Sequence, residues 1–241
     1  MSKKSLALLL AVALLIGGAV GGTIAWLTDT TEEVTNTFSV GNIDIELWEH
    51  ELKNGALLNT GCPTNTQESE HHEVSNNAYK IIPGTEQPKD PFVRVKADSE
   101  DCYIFIQVQE VNNVAATNGD GTVTHKYVTW NIDTNKWTKL AEDTKNNVTT
   151  YYLKSNYTNK PTDELYYILS ENEVSYGNTL TKEMIDKLYE TDESGKKVID
   201  SDKQPKLNFK AFAVQKEAAG TAIDAWGKIP KSEYLAAPAT N

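Results

Sequence analysis

The amino-acid sequence predicts an all-β fold, an antiparallel β-sandwich with one or two short peripheral helices. Three observations predict it. Short segments in which apolar and polar residues alternate recur along the chain. Clusters of Gly, Pro, Asn and Asp separate those segments. Only two stretches carry apolar residues at helical spacing. Such a pattern suits two sheets packed face to face. No repeat of fixed period and no second folded domain is legible.

The elements follow in order. Ile43, Ile45 and Leu47 alternate with Asp44, Glu46 and Trp48, which predicts a strand after a bend at Gly41-Asn42. Glu51 to Asn77 is polar and reads as a long surface excursion, closed by the turn signal Ile81-Ile82-Pro83-Gly84. Val93, Val95 and Ala97 alternate with Arg94 and Lys96. Tyr103 to Val111 forms the strongest strand, with Ile104, Ile106 and Val108 on one face. Asp98 to Asp101 lies between these two, so the pair reads as a hairpin. Asn118-Gly119-Asp120-Gly121 is a second hairpin turn. Strands are expected at Val123 to Trp130, Val148 to Leu153, Leu165 to Leu169 and Leu207 to Gln215.

Met184, Ile185, Leu188 and Tyr189 share a helical face over Thr181 to Glu190. Thr181 suits the N-cap, and Leu180 with Ile185 has the spacing of a hydrophobic staple. Ala218 to Trp226 reads as a second short helix, stopped by Gly227 with Pro230 beyond. Residues 232–241 read as a flexible tail.

The N-terminus reads as a signal peptide, residues 1–25. Lys3 and Lys4 precede the apolar run Leu6 to Ile16, and Thr23 and Ala25 supply small residues at −3 and −1 of a cut before Trp26. An uncleaved anchor is the alternative, since Leu6 to Leu27 is long enough to cross a bilayer. Residues 26–37 then form a polar N-terminal arm, and residues 38–231 the sandwich. The expected location is extracellular, with membrane contact only before cleavage.

Net charge is −11, and −13 without Lys3 and Lys4. This argues against nucleic acid or an anionic membrane as partner, both of which need clustered Lys and Arg. Beyond an export signal, oxidation is permitted, so Cys62 and Cys102 form a possible disulfide; a buried free thiol at Cys102 is the other outcome.

Enzyme motifs are absent. The histidines are His50, His71, His72 and His125, and none forms His-Glu-x-x-His; the nearest strings are Glu49-His50-Glu51 and His71-His72-Glu73. No catalytic residue, metal ligand or cofactor is assigned. Neither Asn118-Gly-Asp-Gly nor Asp192-Glu-Ser-Gly completes a calcium loop, and both read as turns. Trp130, Trp137, Tyr151, Tyr152 and Tyr157 form either a sugar-stacking face or, alternately, core. The first option supports a monomeric adhesin or a module for matrix polysaccharide.

Gly22-Thr23-Ile24-Ala25-Trp26-Leu27-Thr28-Asp29-Thr30, followed by Asn36-Thr37-Phe38-Ser39-Val40-Gly41-Asn42-Ile43-Asp44-Ile45, resembles the start of the TasA/camelysin family. These are secreted proteins cut by the SipW type of signal peptidase. The resemblance is specific over roughly the first fifth of the chain. Further on, Lys89-Asp90-Pro91-Phe92-Val93-Arg94-Val95, Cys102-Tyr103-Ile104-Phe105-Ile106 and Ala225-Trp226 look like a branch from anaerobic Gram-positive bacteria that differs from TasA in mid-chain. The resemblance implies a jelly-roll sandwich, secretion and assembly of copies head to tail into biofilm matrix fibres. In such fibres the N-terminal segment is donated as a strand. Here that donor arm is Trp26 to Thr37, with Trp26, Leu27 and Val34 as apolar anchors. The alternative is an arm that folds back on its own domain. Some relatives carry a metallopeptidase label, which the motifs above do not support.

Overall fold

The computed structural model describes residues 42–58 and 73–235. These belong to one unit, Gly41–Asn241. The first half of the described chain contributes β1 (Ile45–His50), β2 (Leu52–Lys53), β3 (Ala56–Leu57), β4 (Glu73–Val74), β5 (Glu86–Pro88), β6 (Phe92–Val95), β7 (Cys102–Val111), β8 (Val114–Thr117), β9 (Val123–Lys126) and β10 (Val128–Thr129). After these come β11 (Trp137–Asp143), β12 (Val148–Leu153), β13 (Glu164–Tyr167), β14 (Glu173–Tyr176) and the helix α1 (Lys182–Asp186). The chain then forms β15 (Tyr189–Thr191), β16 (Lys197–Ile199), β17 (Lys206–Gln215) and the helix α2 (Ala222–Trp226).

Two four-stranded antiparallel sheets dominate, in the orders β13-β6-β1-β4 and β11-β12-β7-β17. A three-stranded sheet, β10-β14-β5, adjoins them, and three two-stranded ladders complete the all-β fold. Alternation along β7 explains the layering. Ile104, Ile106 and Val108 point into the main core with Val93 and Val95 of β6, Tyr151 and Leu153 of β12, and Phe209 and Ala211 of β17. Tyr103 and Phe105 point the other way, into a second apolar cluster with Phe212, Val214, Ala225 and Trp226. β7 is therefore buried on both faces.

The expected hairpin between Val93 and Val111 does not form. β6 and β7 lie in different sheets. Their connection makes one turn bond of its own, from Ser99 N to Lys96 O, and otherwise bonds outward. Asp98 N donates to Lys160 O, Glu100 N to Asn42 O, and the Ser99 hydroxyl accepts from Asp44 N. Nor does β6 alternate between core and solvent: all four of its residues are buried, Arg94 among ion-pair partners. The expected strand Val123 to Trp130 is split between β9 and β10, in separate sheets.

Other expectations match in part: both helices form, but shorter than expected. Residues 118–122 turn β8 into β9, with Gly121 at φ +85° where a side chain would be strained. The Thr181 hydroxyl caps α1 by accepting from Met184 N. That helix ends at Asp186, and Tyr189 opens the β15-β16 hairpin around Asp192, whose carboxylate accepts the Ser194 and Lys196 N–H groups. The helix α2 ends at Gly227.

The expected tail is docked at its start. The Tyr234 ring stacks on Trp226 at 4.6 Å between centroids, and Leu235 N donates to Gln107 Oε1. Residues 216–235 thus cover the outer face of the β7 sheet.

The edges of that sheet differ. β11 carries a register shift between Lys139 and Ala141, an ion pair of Lys139 with Glu142, and three exposed residues at its end. Such features discourage a further strand. β17 instead pairs with β7 in unbroken register from Lys206↔Val111 to Gln215↔Cys102. Among the described residues, nothing pairs with its far side.

Candidate functional site: a groove between two strand edges

β1 pairs with β6 through Ile45–Trp48, but on its other side meets only the two residues of β4, at Glu49 and His50. Leu47–Glu49 of β1 and Lys206–Phe209 of β17 line one groove of about 920 Å³. Its floor is core: Val128, Val174 and Tyr176, with Leu47, Ile81 and Phe209 packed against them. Ser75, Asn76, Gln204 and the exposed Ile199 contribute to the rest of the lining. An apolar floor beside unpaired backbone is the chemistry that receives an extended peptide.

Glu49 and Lys89 lie at this groove, and both are buried. Lys89 Nζ donates to Glu49 Oε2 at 2.6 Å, and Tyr79 Oη donates to the same oxygen at 3.1 Å. The ammonium sits 4.7 Å from the Tyr79 ring centroid and 5.5 Å from that of Phe209, within cation–π range. Burial and then the Glu49 charge push the Tyr79 hydroxyl well above its ordinary value. It therefore stays a donor.

The next residues along each segment repeat the contact on the opposite face of β1. His50 Nδ1 lies 2.6 Å from Asp90 Oδ2, and His50 N donates to Asp90 Oδ1 at 3.1 Å. Adjacent residues of a strand point to opposite faces. Lys89 and Asp90 thus clasp Glu49 and His50 from both sides and fix the end of β1 where the groove begins. Nearby, Arg94 bonds Glu73 through both terminal nitrogens and Glu46 through one. Burial pulls the Arg94 guanidinium down, but these carboxylates outweigh it and hold it above its ordinary value.

Thr23, Ala25, Trp26, Leu27, Val34 and Cys62 lie outside the described residues, as do His71, His72 and the whole of segments 1–25 and 26–37. Cys102 is described: it is a fully buried free thiol, pushed up to about 12 by burial and then by the Asp101 charge. His50 is buried against Asp90 and Phe92, whereas His125 is on the weakly buried β9. Among the described residues, no group of three or more His, Cys, Asp or Glu is placed to hold a metal ion.

The aromatic face does not exist as a set. Trp137, Tyr151 and Tyr157 are buried in the main core. Trp130 packs against that core, and Tyr152 against the second cluster on the other side of the sheet. Which residues line the groove escaped sequence reasoning. Glu49-His50 and Lys89-Asp90 were both conspicuous strings, but nothing local shows that they meet.

No helix among the described residues is long and apolar enough to cross a membrane. Comparison with known proteins gives no match, whether to a family model, a curated protein or a solved structure.

Proposed function

We propose that the chain is an exported structural subunit of a cell surface or biofilm matrix, and that copies join head to tail. The arm Trp26–Thr37, freed by a signal peptidase of the SipW type, enters the groove of the next copy and extends its sheet. One observation carries this reading: β1 and β17 leave backbone edges uncovered along one groove with an apolar floor. Unpaired N–H and C=O groups there are a template for another strand. Extended, twelve residues span about 40 Å, enough to run beside all of β17. The contact joins two different surfaces, so it propagates and does not close into a dimer. Within the β11-β12-β7-β17 sheet, the blunted edge at β11 leaves β17 as the acceptor edge.

The TasA/camelysin-like start supports the same reading, as does the signal-like N-terminus. No catalytic residue, metal or cofactor enters it. Electron microscopy of the chain beginning at Trp26, beside a chain beginning at Phe38, tests it. Filaments are expected only from the first. Filaments from both would sink strand donation by this arm. Monomers from both, across a wide concentration range, would hand the case to a monomeric adhesin.

A further inference from the structure

We infer that the groove selects an acidic strand and that Lys206 is the residue that reads its charge. This deepens the reading above, in which the strand belongs to a second copy. The groove is lined by three charged side chains, Glu49, Lys89 and Lys206, on a chain whose net charge is −11. Two of them neutralise each other, since Lys89 Nζ and Glu49 Oε2 are 2.6 Å apart and both buried. Three of the four amides in the lining are already engaged. Asn77 holds Leu52 N and His50 O, Gln204 holds Leu188 O, and Asn208 holds Gln109 Oε1. Lys206 is exposed and makes no ion pair among the described residues. The groove therefore presents a net positive charge against an acidic background.

The occupant that fits is the chain's own N-terminal segment from another molecule. Between Trp26 and Gly41 it carries Asp29, Glu32 and Glu33 and no Lys or Arg. Glu32 and Glu33 are adjacent, so on an extended strand they point to opposite faces. Whichever face turns to the groove, a carboxylate comes with it. Attraction between an acidic arm and a positive groove raises the association rate more than the final affinity, and salt screens it.

The test uses the chain beginning at Trp26 and follows elongation by light scattering. Lys206→Glu should slow elongation about tenfold at low salt, and Lys206→Met less. Glu32→Lys with Glu33→Lys should slow the parent, yet restore most of the rate when placed in the Lys206→Glu chain. Raising salt from about 50 to about 500 mM also screens the repulsion between two acidic chains, so the readout is the ratio: the parent's rate advantage over Lys206→Met should shrink toward one. Near-ultraviolet circular dichroism confirms that each variant is folded; should Lys206→Glu misfold, Lys206→Met and the salt series decide alone. If both Lys206 variants elongate like the parent at every salt concentration, charge selection is wrong while strand donation stands. If the parent never assembles, the assembly reading falls and takes this inference with it.

Discussion

Asp90 holds His50 twice: one carboxylate oxygen lies 2.6 Å from the ring Nδ1, and the other accepts the backbone N–H at 3.1 Å. Both residues are buried, Asp90 at 1% and His50 at 5% exposure. A single side chain therefore fixes both the position of the last β1 residue and the orientation of its ring.

Asp90→Ala should cost about 3 kcal/mol of unfolding free energy, because it strands two buried polar groups. Asp90→Asn keeps an acceptor for the backbone N–H and should cost less, about 1–2 kcal/mol. Urea unfolding compares them. Equal losses would show that the backbone bond contributes nothing.

Lys89 and Glu49 should behave as a unit. Lys89→Met leaves a buried carboxylate held only by Tyr79 and should cost about 3–5 kcal/mol. Glu49→Leu in the same chain should recover much of that loss. A double-mutant cycle measures the coupling, and additive losses would show that the pair is not coupled.

Cys102 should be inert while the protein is folded. In a Cys62→Ser chain at pH 8, a thiol reagent should find no group until denaturant is added, and then one. In the unmodified chain, two free thiols on unfolding without reductant mean no bridge to Cys62, and none means a bridge.

The same burial makes the fold sensitive to alkali. Burial, with nearby negative charge in the first two cases, pushes Cys102, Tyr166 and Tyr176 up to about 12, from ordinary values of 9.0 for the thiol and 10.0 for the phenols. In the unfolded chain these groups ionise first, so their contribution is full below about pH 9 and is lost as pH rises toward 12. Thermal melts should fall steeply across that window. A flat profile between pH 9 and 11 would contradict it.

Trp226 seals the outer face of the β7 sheet, against Phe105 at 5.3 Å and Phe212 at 5.5 Å between centroids. Trp226→Ala should cost about 3–5 kcal/mol. Tyr234→Ala loses only the stacked ring, about 1 kcal/mol. Calorimetry ranks the two, and an equal effect would mean that residues beyond Gly227 carry the seal.

Alternation made β1, β7, β12 and β17 legible, because one buried face repeats at every second residue. Position in the sandwich was not legible. Val93-Arg94-Val95 and Tyr103-Ile104-Phe105 flank a short polar link, as hairpin strands do, yet Asp98, Ser99 and Glu100 find partners at Lys160, Asp44 and Asn42. Those partners are distant in sequence, so no local signal separates a hairpin from a crossing between sheets. Tyr189 fitted the helical face of Met184 and Ile185, but pairing with Ile199 claimed it for a strand. The groove draws on β1, the segment after β4, β14 and β17, and its lining is set by which edges are left over. Arg94 looked solvent-facing because its neighbours were apolar; three carboxylates within 4 Å of it, from β1, β4 and Asp163 just before β13, reversed that.

β7 is covered on both faces and paired on both edges, by β12 and β17. Its central amides, Ile104 to Val108, have no local opening through which deuterium could enter. They should exchange only when the whole unit unfolds, which makes their exchange rate a gauge of global stability. An occupant of the groove binds the folded state alone and slows that rate by mass action. A strand seated beside β17 would thus be visible in the deuterium uptake of amides it never touches.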